Sequence, residues 1–248
     1  MTPTEDNTSE EMLTATALSK QFGPVSILDG LSVAFTDGEV AAVIGPNGSG
    51  KTTLLRLLVG ELSPSTGEVT YQGPSVPRPI GYLPQQPAFR SGFTVRETLE
   101  FYQSLVRDTD PMALLDLVGL EGAANRRVDA LSGGMRQLLG IAQALVGDPP
   151  VVILDEPASG LDPTMRDHVF AVIADLATTG RTVIVSSHDL SFVESDADSV
   201  VLLAAGQIAA TGTPNSITAQ FEVSTLREAL QAVTDETDQV TVVGETDQ

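Results

Sequence analysis

Residues 39–53 read EVAAVIGPNGSGKTT, and the fold turns on them. After Glu39, residues 40–45 form an unbroken apolar run, as expected of a parallel strand covered on both faces. Residues 45–52 then satisfy the spacing G-x-x-x-x-G-K-[ST], and a helical stretch, KTTLLRLLVGEL, follows at once. Strand, glycine-rich turn and helix together make a phosphate-binding loop. Gly45, Gly48 and Gly50 permit backbone angles and close approaches that a β-carbon blocks. The loop Gly45, Pro46, Asn47, Gly48, Ser49 and Gly50 is expected to surround the phosphates of a nucleotide with N–H groups, backed by the helix N-terminus. Lys51 reaches the outer phosphates, Thr52 offers its hydroxyl to Mg²⁺, and Thr53 adds a further phosphate contact.

Outward from this loop, short apolar strands alternate with longer helical stretches, a pattern of parallel strands with crossover helices. VVILDEP (151–157) and RTVIVSSHD (181–189) are further buried strands, and SVVLLAAGQIAATG (199–212) reads as two strands around a turn at Gly206. Glycine and proline punctuate strand-like pieces over 23–38 and 67–83, which suggests an antiparallel sheet beside the parallel one. Residues 87–147 read as a helical insert, with a proline start at Pro111 and a glycine stop at Gly119. The expected architecture is therefore α/β: a P-loop NTPase core of mostly parallel sheet, an antiparallel β subdomain and a helical subdomain. Residues 1–11 and 233–248 are expected as acidic mobile tails, with VTVV (240–243) as a strand-like exception.

Asp155 and Glu156 stand where a buried strand leaves the sheet, the edge at which open α/β sheets bind ligands. Asp155 is placed to hold Mg²⁺ through its water shell, and Glu156 to accept a proton from an attacking water. His188 ends the next strand at the same edge and is expected to contact the γ-phosphate. His168 lies within a helical stretch and reads as a surface residue.

A second small-residue turn opens a helix at LSGGMRQLLGIAQAL (131–145). Leu138, Ile141, Ala142 and Leu145 give that helix a packed face. Ser132, Gly133 and Gly134 sit at its positive end, where aligned peptide dipoles amount to about half a unit charge. One ATP already has its cradle at Lys51. A second anion-binding turn, beyond the helical insert, is best explained as serving a nucleotide held by another subunit.

Bulk composition narrows the function classes. With no cysteine, thiol catalysis and cysteine-bound zinc are excluded, and two histidines make a protein-only zinc site improbable. No apolar run approaches the roughly 18–20 residues of a membrane span, and the polar, acidic start is unlike a secretory signal. The net charge of −20 repels nucleic acid and anionic lipid. Lysine occurs only at Lys20 and Lys51, with arginine supplying the rest of the positive charge. That scarcity favours adaptation to concentrated salt, where screening shortens the Debye length to about 3 Å at 1 M.

Over residues 12–232 the chain resembles the nucleotide-binding subunit of an ABC transporter. GPNGSGKTT resembles the Walker A loop, LSGGMRQ the family signature, VVILDE the Walker B strand with its catalytic glutamate, and SGLDP (159–163) the D-loop through Asp162. GYLPQQP resembles the Q-loop, with Gln85 the better candidate for the Mg²⁺ contact and Gln86 the runner-up. His188 falls at the switch histidine, and Phe22 where the family stacks an aromatic on adenine. The resemblance implies ATP hydrolysis by two subunits closed head to tail, with Ser132 and Gly134 acting in trans on a partner's ATP. It also implies a separate integral-membrane permease met by the helical insert, and residence at the cytoplasmic face of the membrane.

Some positions depart from the pattern. Leu138 replaces a common basic residue, which is expected to alter surface charge. Ala158 precedes SGLDP where Thr or Ser is usual. The segments after Gly73 and after Tyr102 are short. GFTVRETLEFY (92–102) resembles export-type subunits, so export is favoured over import. The competing reading is a soluble ABC-type ATPase of an assembly or repair complex; the acidic charge and the lack of sustained heptads stand against the repair form, and the assembly form stays open.

Overall fold

The structure, a computed structural model, describes residues 10–106 and 109–244. Its main sheet has six strands in the order β5 (Ile80–Leu83), β6 (Val151–Asp155), β7 (Thr182–Ser186), β3 (Val40–Ile44), β8 (Ser199–Ala204) and β9 (Gln207–Gly212). Neighbours run parallel from β5 through β8, and only the β8–β9 hairpin is antiparallel. β3, β6 and β7 are buried at every position, which explains their unbroken apolar runs. A second sheet, β2 (Val25–Thr36), β1 (Glu11–Phe22) and β4 (Thr66–Tyr71), is wholly antiparallel.

The main sheet separates two apolar layers. On one face Ala41, Val43, Ile153, Ile184 and Leu203 pack with the antiparallel sheet and with α1 (Lys51–Leu58). On the other, Ala42, Ile44, Leu154, Val185 and Leu202 pack with the remaining helices. These are α2 (Val95–Val106), α3 (Pro111–Leu117), α4 (Gly133–Ala144), α5 (Pro163–Thr178), α6 (Leu190–Asp196), α7 (Pro214–Gln220) and α8 (Leu226–Gly244). Residues alternate between the layers along each strand, as the two-residue repeat of a pleated chain requires.

Several expectations need correction. Within 67–83 only β4 joins the antiparallel sheet. β5 instead extends the parallel sheet, pairing Ile80 with Val151 and Leu83 with Leu154. Gly81 lets α4 pack closely on this strand, since a β-carbon there would stand 2.1 Å from the Ala144 carbonyl oxygen. The pieces within 23–38 form one long strand, β2, whose partner β1 was not delimited in the sequence. Leu138 is buried in the helical layer, so replacing a basic residue there changes packing and not surface charge.

The C-terminal tail expected from residue 233 begins as helix. Val233 is buried with Ala229 and Leu226 on one side of α8, and 240–243 continue that helix rather than pairing as a strand. The three- and four-residue spacing of Leu226, Ala229 and Val233 carries this face. The N-terminal tail over 1–9 lies outside the described residues, and β1 already begins at Glu11.

Candidate active site

β3 delivers the phosphate loop to the centre of the sheet, between β7 and β8. Gly45 has φ 157°, and a β-carbon on it would stand 2.1 Å from the Leu203 carbonyl oxygen of β8. Gly50 has φ 103°, and its β-carbon would stand 2.6 Å from Leu28 of the antiparallel sheet. These glycines let the loop pass between two layers. Gly50 is also the N-cap of α1 and offers no side chain, so that N-terminus has no side-chain cap and no acid in its first turn. An anion is the natural partner of such an end. Lys51 is buried and donates to the carbonyl oxygens of Gly45 (2.9 Å) and Pro46 (3.1 Å). Burial lowers its pKa, while Glu156 and then Asp155 oppose that shift.

The two acids leave β6 beside β7, and Asp155 and Ser186 are register partners across that pair. Ser186 Oγ donates to Asp155 Oδ1 at 2.6 Å. The Glu156 N–H donates to the same Ser186 oxygen at 2.8 Å. Asp155 Oδ2 is buried without a hydrogen-bond partner. Glu156 adopts φ 49°, a left-handed conformation uncommon for a side-chain-bearing residue. Its Oε1 lies 2.9 Å from His188 Nε2 without hydrogen-bond alignment, so the atom keeps no hydrogen-bond partner. Burial raises the Glu156 pKa; Lys51 counters this and Asp155 adds to it. Burial, then the Lys51 charge, lowers that of His188. Both shifts favour neutral forms when no ligand is bound.

Lys51, Glu156 and His188 share one cleft of about 310 Å³ with Ile27, Asn47, Gly48, Gly50, Thr52, Thr53 and Gln85, while Asp155 lies buried behind Glu156 and does not line it. Gln85 reaches it and Gln86 does not. The buried Gln137 of α4 fixes the Gln85 backbone, donating from Nε2 to its carbonyl oxygen at 3.1 Å. A larger cleft of about 640 Å³ adjoins it past His188, between α5, α6 and Arg227, but includes neither the phosphate loop nor the acid pair. The residues suit a magnesium nucleotide. The N-terminus of α1 is left without a side-chain cap, and the orphaned Asp155 Oδ2 is a buried oxygen in need of a cation or water.

The sequence profile described as ABC transporter matches residues 28–159, just over half of the chain. The chain belongs to the ABC transporter family. It is 35% identical over 214 residues to Nod factor export ATP-binding protein I of Rhizobium meliloti, a match covering 81% of this chain and 64% of that protein. The chain thus spans just under two thirds of the length of that relative. Among solved structures, an ATP-binding subunit of an ABC transporter superposes with a TM-score of 0.80 at 27% identity, covering 90% of this chain and 99% of the other. The cbiO1 protein of Clostridium perfringens, described as part of the ABC transporter complex cbiONQ, superposes at 0.74 with 26% identity, covering 86% and 93%.

The remaining motifs of this ABC cassette lie outside the nucleotide cleft. Ser132 caps α4, accepting from the Met135 N–H at 3.3 Å, and is exposed with Gly133. Gly134 is buried, and a β-carbon there would stand 2.1 Å from Met165 of α5. Asp162 caps α5 in turn, accepting from the Met165 N–H at 3.1 Å. None of these four lines the cleft that holds Lys51. Phe22 ends β1 with 49% of its surface exposed, and Lys20 Nζ lies 5.0 Å from its ring centroid. Lys20 also donates to the Ser63 carbonyl oxygen at 2.7 Å, so one of two lysines is fastened beside that ring. His168 is exposed; its Nε2 lies 3.3 Å from the Val118 carbonyl oxygen and beside Gly119.

Reading the sequence alone missed Ser186, Ile27, Gln137 and Met165. A signal existed for Ser186: a polar residue closing the apolar run VIV at 183–185. Nothing local marks the other three, whose roles depend on neighbours distant in the chain.

Proposed function

We propose that this chain hydrolyses ATP as one of a pair of cassettes driving export through a separate membrane permease. One observation carries the paired reading: Lys51, Glu156, His188 and Gln85 share a cleft that Ser132, Gly133 and Gly134 of the same chain do not line. The exposed Ser132 and Gly133 then serve a second copy's nucleotide, with Asp162 beside them. The proposed cassette covers 12–232, with the helical subdomain at about 87–147.

In this reading Phe22 stacks on adenine and residues 45–53 enclose the phosphates. Lys51 exchanges the carbonyls of Gly45 and Pro46 for phosphate oxygens. Thr52 and Gln85 would hold Mg²⁺ directly, and Asp155 through water; the ion would neutralise charge on the outer phosphates. Glu156 orients the attacking water and takes its proton. That role requires the carboxylate, so phosphate and metal charges must offset the burial that raises its pKa. His188 steadies the γ-phosphate beside Glu156.

The permease is supported by apolar exposure on the helical subdomain, where Phe101 is 45% and Leu105 69% exposed. Both lie on α2, outside the stretches that carry the nucleotide-binding motifs. Export is supported by the relative's printed role, and a multi-subunit assembly by that of the cbiO1 neighbour. Among the described residues no helix is long and apolar enough to cross a membrane. Placement at the cytoplasmic face and a high-salt interior complete the proposal, the latter from charge composition.

Mixing variants tests it. Lys51→Ala and Ser132→Arg should each be inactive alone. Together they should recover ATPase activity, because a mixed pair contains one intact composite site. No recovery, despite demonstrated mixed pairing, would sink the two-copy site.

A further inference from the structure

We propose that Ser186 is a positioning residue for the hydrolytic reaction, whose single hydroxyl sets both acids of the site at once. The inference rests on the reading of Glu156 and Asp155 given above. β6 and β7 run parallel and adjacent, so Asp155 and Ser186 face each other at the sheet edge. Ser186 is fully buried and cannot exchange its partners for solvent. A serine hydroxyl has one proton and two lone pairs. Here the proton goes to Asp155 Oδ1 at 2.6 Å, and a lone pair receives the Glu156 N–H at 2.8 Å. Both directions are in use, so the hydroxyl has a fixed orientation.

Two consequences follow for the chemistry. First, Glu156 stands one residue past the strand in a left-handed conformation, φ 49°. A side-chain-bearing residue holds such a backbone only where its surroundings impose it. The bond from its N–H to Ser186 imposes it here, and so aims the Glu156 side chain at the cleft it lines. Second, Ser186 engages only one oxygen of Asp155. The other, Oδ2, has no hydrogen-bond partner and is left for a metal-bound water. Ser186 spends its proton on the Asp155 carboxylate and one lone pair on the Glu156 backbone N–H.

The test compares the full chain with Ser186→Ala, Ser186→Thr and Ser186→Cys, reading ATP turnover and hydrogen exchange of the 152–158 segment. Ser186→Ala should lower kcat about 10–100-fold, as loss of a supporting partner around a metal site does. KM for ATP should stay within about twofold, since no group that binds the nucleotide is removed. Exchange at the Glu156 amide should accelerate in Ser186→Ala. Ser186→Thr keeps the hydroxyl and should restore both turnover and slow exchange. Should the alanine variant not fold, Ser186→Cys replaces it: its weak S–H donor should leave kcat depressed at unchanged KM. Parental kcat in the alanine or cysteine variant overturns the proposal. So does equal impairment of the alanine and threonine variants, or a raised KM at unchanged kcat. A parent chain that binds ATP without hydrolysing it would instead overturn the functional reading; exchange at Glu156 would then still decide whether Ser186 holds that backbone.

Discussion

Two glycine turns, 45–50 and 132–134, each open a helix, and their surroundings differ. The first is enclosed at both ends and exposed at Asn47 and Gly48. Leu203 crowds Gly45 and Leu28 crowds Gly50, Lys51 folds back on the carbonyls of the loop, and Glu156 faces it across the cleft. The second is open at Ser132 and Gly133, and its one buried glycine meets only Met165. A turn that holds a ligand by itself is surrounded by protein. In the proposed two-copy site, the turn that completes another molecule's site has to stay accessible, with its helix packed rigidly behind it. Leu138, Leu139, Ile141 and Ala142 supply that rigid packing.

The largest effect that tests this contrast is on chemistry. Glu156→Gln should reduce turnover by about 100–10 000-fold, the range for loss of a general base, while ATP binding and pairing of two cassettes persist. Chromatography with Mg-ATP should show the paired species; a monomer would separate the enclosed turn from the open one and weaken the comparison. Next comes stability. Gly45→Ala forces a β-carbon onto the Leu203 carbonyl and should cost about 2 kcal/mol or more. Gly133→Ala meets nothing within 4 Å and should stay within about 0.5 kcal/mol. Denaturant melts of both variants would break the contrast if the two costs were equal.

A smaller effect concerns the buried carboxylate. A raised pKa means that the folded state favours protonated Glu156, so ionisation costs stability as pH rises above the ordinary glutamate range. Without nucleotide, Glu156→Gln should therefore melt higher than the parent at neutral pH. The difference should fade as pH falls toward the ordinary glutamate value. An unchanged difference across that window would show that the enclosed site is not charge-strained. The smallest effect is diffuse. Molar KCl should raise the melting temperature of the parent by screening its net charge of −20, and equal melting in dilute buffer would dismiss salt adaptation.

Contiguous chemistry was legible in the sequence. Residues 39–53 carry strand, loop and helix in order, and VVILDEP carries strand and acids together. Choosing Gln85 over Gln86 needed a resemblance, because adjacent identical residues carry no periodic signal; the structure places only Gln85 in the cleft. β5 was misassigned because a short strand with one glycine looks alike in either sheet. Its partner is β6, about seventy positions on, and the bare α-carbon of Gly81 leaves room for the Ala144 carbonyl of α4 beside it.

By itself, then, the sequence determined the α/β alternation, the phosphate loop, the acid pair and the charge, since each is written in neighbouring residues through periodicity and local backbone freedom. Only the tertiary structure decided that β6 lies beside β7, and hence that one serine hydroxyl spans Asp155 and Glu156. It also decided that the two glycine turns belong to different surfaces. Hydrogen bonds and burial depend on distance in space, and chain order does not encode that distance until the sheet is assembled.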